Sequence, residues 1–185
     1  MIEDIFTEVE QKMAGAVEHA QAELAKIRTG RANPGLIADL PVEYYGTPTP
    51  MQQIAGISVP EPRMLLVSPF DKTALKEIER AISGADLGLN PSNDGNVIRV
   101  VFPELTEERR KEYVKLAKER AEDGRVAVRN LRRHAKTDIG KLSEAGDIGE
   151  DDEHRADKRL QDVTDRYVAR IDEVLANKEK ELMEV

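Results

Sequence analysis

The sequence predicts an α+β chain of two domains: a long antiparallel three-helix bundle (residues 1–30 plus 105–185) with a small α+β domain (residues 31–104) inserted into it. Three segments place apolar residues at steps of three or four, the period of a helix with one buried stripe. All nine prolines fall outside those segments, eight of them between Pro34 and Pro91 and the ninth at Pro103, in a region of short β-branched and apolar runs. Charged residues make up 35% of the chain and aromatics 4%, a balance suited to slender helical assemblies rather than to one thick core.

The first helix carries Ile2, Phe6, Val9, Met13, Val17, Ala20, Leu24 and Ile27 on one stripe, and Gly30 stands where it is expected to end. In the middle region, residues 37–39, 42–45, 54–59, 64–68 and 97–102 read as strands separated by Gly, Pro or Asn. Asp71 is placed to cap one helix that buries Ala74, Leu75, Ile78, Ala81 and Ile82. Asn93-Asp94-Gly95-Asn96 reads as the turn before the strand at Val97. Both ends of the insert run back into the helical body, so Arg31, Ala32 and Asn33 on one side and Pro103, Glu104 and Leu105 on the other are the expected hinge.

Thr106 is the expected N-cap of the second long helix, with Glu107 and Glu108 favourable to its dipole. Its stripe is Tyr113, Ala117, Ala121, Gly124, Val128, Leu131, Ala135, Ile139 and Leu142. A break at residues 144–149 precedes the third helix, which opens on four acids and carries Leu160, Val163, Tyr167, Ile171, Val174, Lys178 and Leu182. Charged helices with one narrow stripe are unstable alone, so the three are expected to pack on one another. Three stripes on three helices leave no spare seam, and a monomer is expected.

The residue inventory argues against catalysis. With no cysteine there is no disulfide framework, thiolate nucleophile or Cys-based zinc site, which fits a reducing compartment, with the cytoplasm as the expected location. His19, His134 and His154 fall one on each long helix, without the spacing of a zinc site. Residues 84–88 lack the Gly-Lys-Ser/Thr ending of a phosphate loop, and no pair of carboxylates is set by spacing alone into a cleft. The chain is therefore expected not to be an enzyme and to hold no metal and no cofactor. Its start, Met1-Ile2-Glu3-Asp4, is acidic where a secretory signal is basic. No apolar run approaches the roughly 20 residues that cross a bilayer, so no membrane partner is expected.

A formal net charge of −8 argues against nucleic acid until its distribution is examined. Residues 1–27 hold two basic and six acidic side chains, net −4, and residues 150–185 hold seven and twelve, net −5. Residues 125–141 reverse the sign, with Arg125, Arg129, Arg132, Arg133, Lys136 and Lys141 against Asp138 alone, net +5. Steps of four, three and four put Arg125, Arg129, Arg132 and Lys136 in one row, about a quarter-turn from the apolar stripe. Two readings stand at this point: a solvated face paired with acids on the neighbouring helices, or a face for RNA phosphates, which guanidiniums suit by bidentate contact. Arg28 and Arg31 could extend such a face. Tyr44 and Tyr45 could stack on bases, though strand propensity explains them more simply.

Four motifs give the chain a resemblance to the ribosome recycling factors over essentially its whole length. They are Arg28-Thr29-Gly30-Arg31-Ala32, the turn from Tyr45-Gly46-Thr47-Pro48 to Gln53, Leu105-Thr106-Glu107-Glu108-Arg109-Arg110-Lys111, and Arg125-Val126-Ala127-Val128-Arg129-Asn130-Leu131-Arg132-Arg133. The resemblance implies an L-shaped molecule in which a three-helix bundle carries a mobile β/α/β domain. It implies that Arg28, Arg31, Arg129 and Arg132 help contact large-subunit ribosomal RNA, near the peptidyl-transferase and intersubunit-bridge regions. It also implies that the inserted domain faces the small ribosomal subunit and elongation factor G, whose GTP hydrolysis drives subunit splitting. Two positions depart from the family pattern. Gly124 stands where Ala is frequent, at up to about 1 kcal/mol of helix propensity, and Gly149 replaces a capping Ser, at a few tenths of a kcal/mol.

Together, charge and resemblance give Arg28, Arg31, Arg125, Arg129, Arg132, Arg133 and Lys136 as the expected RNA-binding set. The function they imply is that of a translation factor acting with elongation factor G on the post-termination ribosome. The alternative is a helical chaperone or scaffold whose apolar stripes bind protein partners, and the two differ in salt dependence, since phosphate contacts weaken as salt rises.

Overall fold

The computed structural model describes residues 1–184. In chain order its elements are α1 (Ile2–Ala25), β1 (Pro41–Tyr44), β2 (Thr47–Pro50), the single turn α2 (Met51–Ile54), β3 (Ala55–Glu61), β4 (Met64–Pro69), α3 (Leu75–Gly84), β5 (Asn90–Asn93), β6 (Ile98–Val101), α4 (Glu107–Glu144) and α5 (Glu150–Met183). They form two compact units, Met1–Ile27 with Val114–Lys180, and Arg28–Tyr113 with Glu181–Val185.

The first unit is built on three apolar stripes. Phe6, Val9, Met13, Val17, Ala20 and Leu24 of α1 are buried, as are Ala117, Ala121, Gly124, Val128, Ala135 and Ile139 of α4. From α5 come Ala156, Leu160, Val163, Tyr167, Ile171 and Leu175. The third stripe drifts: Val174, expected inside, is half-exposed, and Leu175 takes its place. A straight helix turns every 3.6 residues, so a strict 3.5 repeat slips off the seam within a few turns. Gly124 has a packing role beyond its propensity cost. A Cβ there would lie 3.0 Å from the Cβ of Ala20 and 3.2 Å from Cδ1 of Ile171, so the bare backbone is what lets these helices approach.

The ends of the long helices are closed by local bonds. The Arg109 amide donates to the Thr106 hydroxyl at 3.1 Å, the expected N-cap. Past α4, Gly146 at φ 78° donates to the Ser143 carbonyl and Asp147 to that of Leu142, the paired bonds of a Schellman turn. α1 stops at Ala25, before Gly30. Ile27 bonds back to the Leu24 carbonyl, so a tightened turn ends the helix without a left-handed glycine, and beyond it the Thr29 hydroxyl accepts from the Arg31 amide in a local turn.

In the second unit, β1 and β2 form an antiparallel hairpin from Pro41↔Pro50 to Tyr44↔Thr47, closed by Tyr45 and Gly46 at φ 49° and 78°. A four-stranded antiparallel sheet has the order β3-β4-β6-β5. The alternation of β4 and β6 sends Leu65, Val67, Ile98 and Val100 into a core shared with Val42, Met51, Ile78, Ile82 and Phe102. Asp71 accepts from the Thr73 amide at 3.0 Å and opens a 3-10 turn leading into α3, so the expected cap is present.

Residues 37–39 are a turn, not a strand. The Asn33 side chain caps a 3-10 turn at Pro34–Leu36, and the amides of Ile37 and Ala38 both donate to Pro34, which leaves them nothing to offer a ladder. Two strands lay outside the expectations, β2 with Pro48 and Pro50 and β5 with Pro91. Each has a single pairing neighbour, the position where a residue without an amide donor is tolerated.

Candidate nucleic-acid interface

The basic row lies on α4 in the first unit. Its members differ more than their spacing suggests. Arg125 is engaged inside the bundle: Nε donates to Asp172 of α5 at 2.7 Å, Nη1 donates to Glu122 at 3.0 Å, and its side chain is 18% exposed. Burial works against its charge, but the hydrogen bonds to Asp172 and Glu122 outweigh it and hold the guanidinium pKa above its ordinary value. Arg129 donates through Nη1 to the other oxygen of Glu122 at 3.2 Å.

Arg125 and Arg129 are thus not the nearly unpaired cations that the charge count over residues 125–141 suggested. Glu122 stands just outside that window, one turn before Arg125 and two before Arg129, on the same face. Asp172 reaches Arg125 from 47 residues further along the chain, and only packing could reveal it. Arg132 and Arg133 differ from these two: among the described residues, no carboxylate lies within 4.0 Å of either. Lys136 stands 3.9 Å from Asp157, and Lys141 3.7 Å from Asp138 one turn before it.

Arg28 and Arg31 belong to the second unit. Arg28 donates through Nη2 to the Pro103 carbonyl at 2.9 Å and lies 6.0 Å from the centre of the Phe102 ring. Arg31 pairs with Glu184 at 2.8 Å and remains exposed. The six residues read as a hinge also lie in this unit. The Ala32 amide donates to Pro62, Asn33 makes its cap, Pro103 receives Arg28, Glu104 pairs with Arg63, and Leu105 is buried.

Strand propensity accounts for Tyr44, which lies in β1, but not for Tyr45. That residue occupies the turn at positive φ and is 79% exposed. The Tyr44 and Tyr45 hydroxyls both donate to one oxygen of Asp71, at 3.2 and 3.0 Å. The Thr73 amide and hydroxyl do most to hold the Asp71 carboxyl below its ordinary pKa, and Tyr45 adds to them. Burial, then Asp71, pushes the Tyr44 phenol up. Among the described residues no group of His, Cys, Asp and Glu could hold a metal ion, and no helix is long and apolar enough to cross a membrane.

Comparison with known proteins adds sequence and fold. The family model described as ribosome recycling factor matches residues 20–183. The chain is 57% identical to the ribosome-recycling factor of Streptomyces coelicolor and 57% identical to that of Thermobifida fusca, each over 185 residues covering 100% of both proteins. A solution structure of a ribosome recycling factor superposes with a TM-score of 0.82 at 46% identity, covering 100% of this chain and 98% of the other. A second structure is that of a T. thermophilus ribosome recycling factor bound, with E. coli elongation factor G, to the E. coli post-termination complex. It gives a TM-score of 0.71 at 43% identity, with 100% of both chains covered. The long helices, the small β-containing unit and these full-length matches place the chain in the ribosome recycling factor family.

Proposed function

We propose that the protein is a translation factor that binds the post-termination ribosome and, with elongation factor G, promotes its splitting into subunits. Like its family, it is not an enzyme, and the GTPase chemistry of recycling belongs to its partner. Its own contribution is a shaped, charged body that docks on large-subunit ribosomal RNA, with the inserted domain toward the small subunit. The observation that carries the RNA face is the pair Arg132 and Arg133, cations without a carboxylate partner among the described residues, in a chain of net charge −8. Guanidiniums left unpaired on an otherwise acidic surface are suited to phosphate.

The chaperone alternative needs apolar stripes open to a partner. Most residues of the α1, α4 and α5 stripes are buried in the first unit, which leaves it little basis and supports a monomer. The cytoplasm, where the ribosomes are, is the location this reading requires.

The test is Arg132→Glu with Arg133→Glu, measured by co-sedimentation with large subunits across a salt series. Each charge-assisted contact is worth about 1.5–3 kcal/mol, so affinity should fall more than about tenfold while the helical circular dichroism stays unchanged. A folded variant that bound like the wild type would move the face elsewhere.

A further inference from the structure

The basic stretch of α4 has a compensated pair, Arg125 and Arg129, and beside it Arg132 and Arg133, which have no carboxylate partner among the described residues; one side chain does most to make the division. Glu122 uses its two oxygens on two different arginines, Oε2 on Arg125 at 3.0 Å and Oε1 on Arg129 at 3.2 Å. Arg125 would keep a partner without it, because Asp172 holds Nε at 2.7 Å. Arg129 would not, since Glu122 is the one carboxylate paired with it among the described residues. The Arg129 and Glu122 side chains are 45% and 53% exposed, so their pair stands in solvent, where such contacts are weak and readily exchanged.

We propose that Glu122 is a specificity-determining residue of the RNA face, an internal competitor that occupies Arg129 until a phosphate placed to fit the whole row displaces it. The proposal rests on the reading of α4 as that face. Asp172, Arg125, Glu122 and Arg129 sum to zero charge, so between Glu122 and Lys141 of α4 an arbitrary polyanion meets Arg132 and Arg133 as the cations without a carboxylate partner among the described residues. A second phosphate must come close to Arg129 to exchange with the carboxylate, and it is repelled by Glu122 until it does. Shape-matched RNA brings that phosphate into register, whereas an arbitrary duplex held loosely at Arg132 and Arg133 does not. Glu122 thereby weakens indiscriminate binding more than it weakens binding to the matching site.

The experiment compares wild type, Glu122→Gln, Arg129→Ala and the double variant in two titrations, one with a short RNA duplex of arbitrary sequence and one with purified large subunits, each across a salt series. Glu122→Gln is expected to tighten duplex binding about threefold or more and to steepen its dependence of log affinity on log salt by about 0.7–0.9, the increment for one further phosphate contact. Large-subunit affinity should change less, so discrimination falls, and in the Arg129→Ala background the gain should largely disappear. Unchanged duplex affinity and slope would overturn the proposal, as would an undiminished gain without Arg129. Weaker large-subunit binding by a folded Glu122→Gln protein would overturn it too, making the carboxylate a support for Arg129 rather than its competitor. Arg132→Glu with Arg133→Glu separates the two levels: wild-type large-subunit binding by that variant overturns the face itself, whatever Glu122→Gln does.

Discussion

Asp94 shows how much one side chain can organise at a turn. Its Oδ1 accepts the amides of Asn96 and Val97, each at 2.9 Å, and its Oδ2 accepts Nη1 of Arg99 at 2.7 Å. The amides of Val97 and Asn96, then Arg99, bring its pKa down to about 2. A carboxyl with a depressed folded pKa stabilises the fold above its unfolded value and loses that contribution as pH falls through the folded one. The turn joining β5 to β6 should therefore hold at pH 4 and loosen toward pH 2, with the Asn96 and Val97 amide resonances titrating around 2. In Asp94→Asn that titration should vanish, and a midpoint near the ordinary carboxylate value in the wild type would contradict the hydrogen-bonded turn. The same scale shows what sequence can and cannot offer. The run 93–96 reads as a turn from residue type alone, and the arginine row reads as a row from helical spacing. The partners of that row do not, because Asp172 is brought to Arg125 by tertiary packing and Glu122 falls beyond the edge of the basic cluster.

Among the elements, two glycines in helix interiors make opposite predictions from the same propensity. A Cβ on Gly15 of α1 would meet nothing within 4 Å, whereas one on Gly124 of α4 would sit 3.0 Å from the Cβ of Ala20. Gly15→Ala should stabilise the fold by up to about 1 kcal/mol, read as a rise of roughly 2–4 °C in Tm. Gly124→Ala should give none of that gain, because neither the backbone of α4 nor the Cβ of Ala20 can turn aside. Equal increases in Tm would show that the helices separate freely at that level. Periodicity made the long helices legible, since burial enforces it over helices of 24, 38 and 34 residues. It could not tell Val174 from Leu175, where the seam drifts, nor show that Gly124 serves close approach. Short elements were less legible: the Asn33 cap overrode the strand-like character of residues 37–39, and proline concealed β2 and β5.

For the whole molecule, the decisive quantity is where the charge of −8 lies. α5 begins with Glu150, Asp151, Asp152 and Glu153, four acids in its first turn, and Glu153 reaches to within 3.9 Å of where a side chain on Gly140 of α4 would begin. The acids that favour the α5 dipole therefore lie beside the same helix that carries the basic row, and they oppose the approach of a polyanion. Replacing them with Gln and Asn should raise the association rate with large subunits several-fold at low salt and leave dissociation unchanged, as distant charges act on encounter more than on the bound state. Stopped-flow mixing would measure this, and the effect should fade toward roughly 1 M salt, where the screening length falls to about 3 Å. A change confined to dissociation would mean that these acids lie within the contact itself.

The prolines of the second unit have a consequence outside the ribosome. Both outer strands of the four-stranded sheet contain one, Pro60 in β3 and Pro91 in β5, and both strands of the hairpin do as well, Pro41 in β1 and Pro48 and Pro50 in β2. Every strand that ends a ladder therefore lacks at least one amide donor with which to recruit a strand from another copy. Residues that make these strands hard to recognise also make them poor templates for aggregation, a useful property for a protein whose smaller unit exposes so much strand.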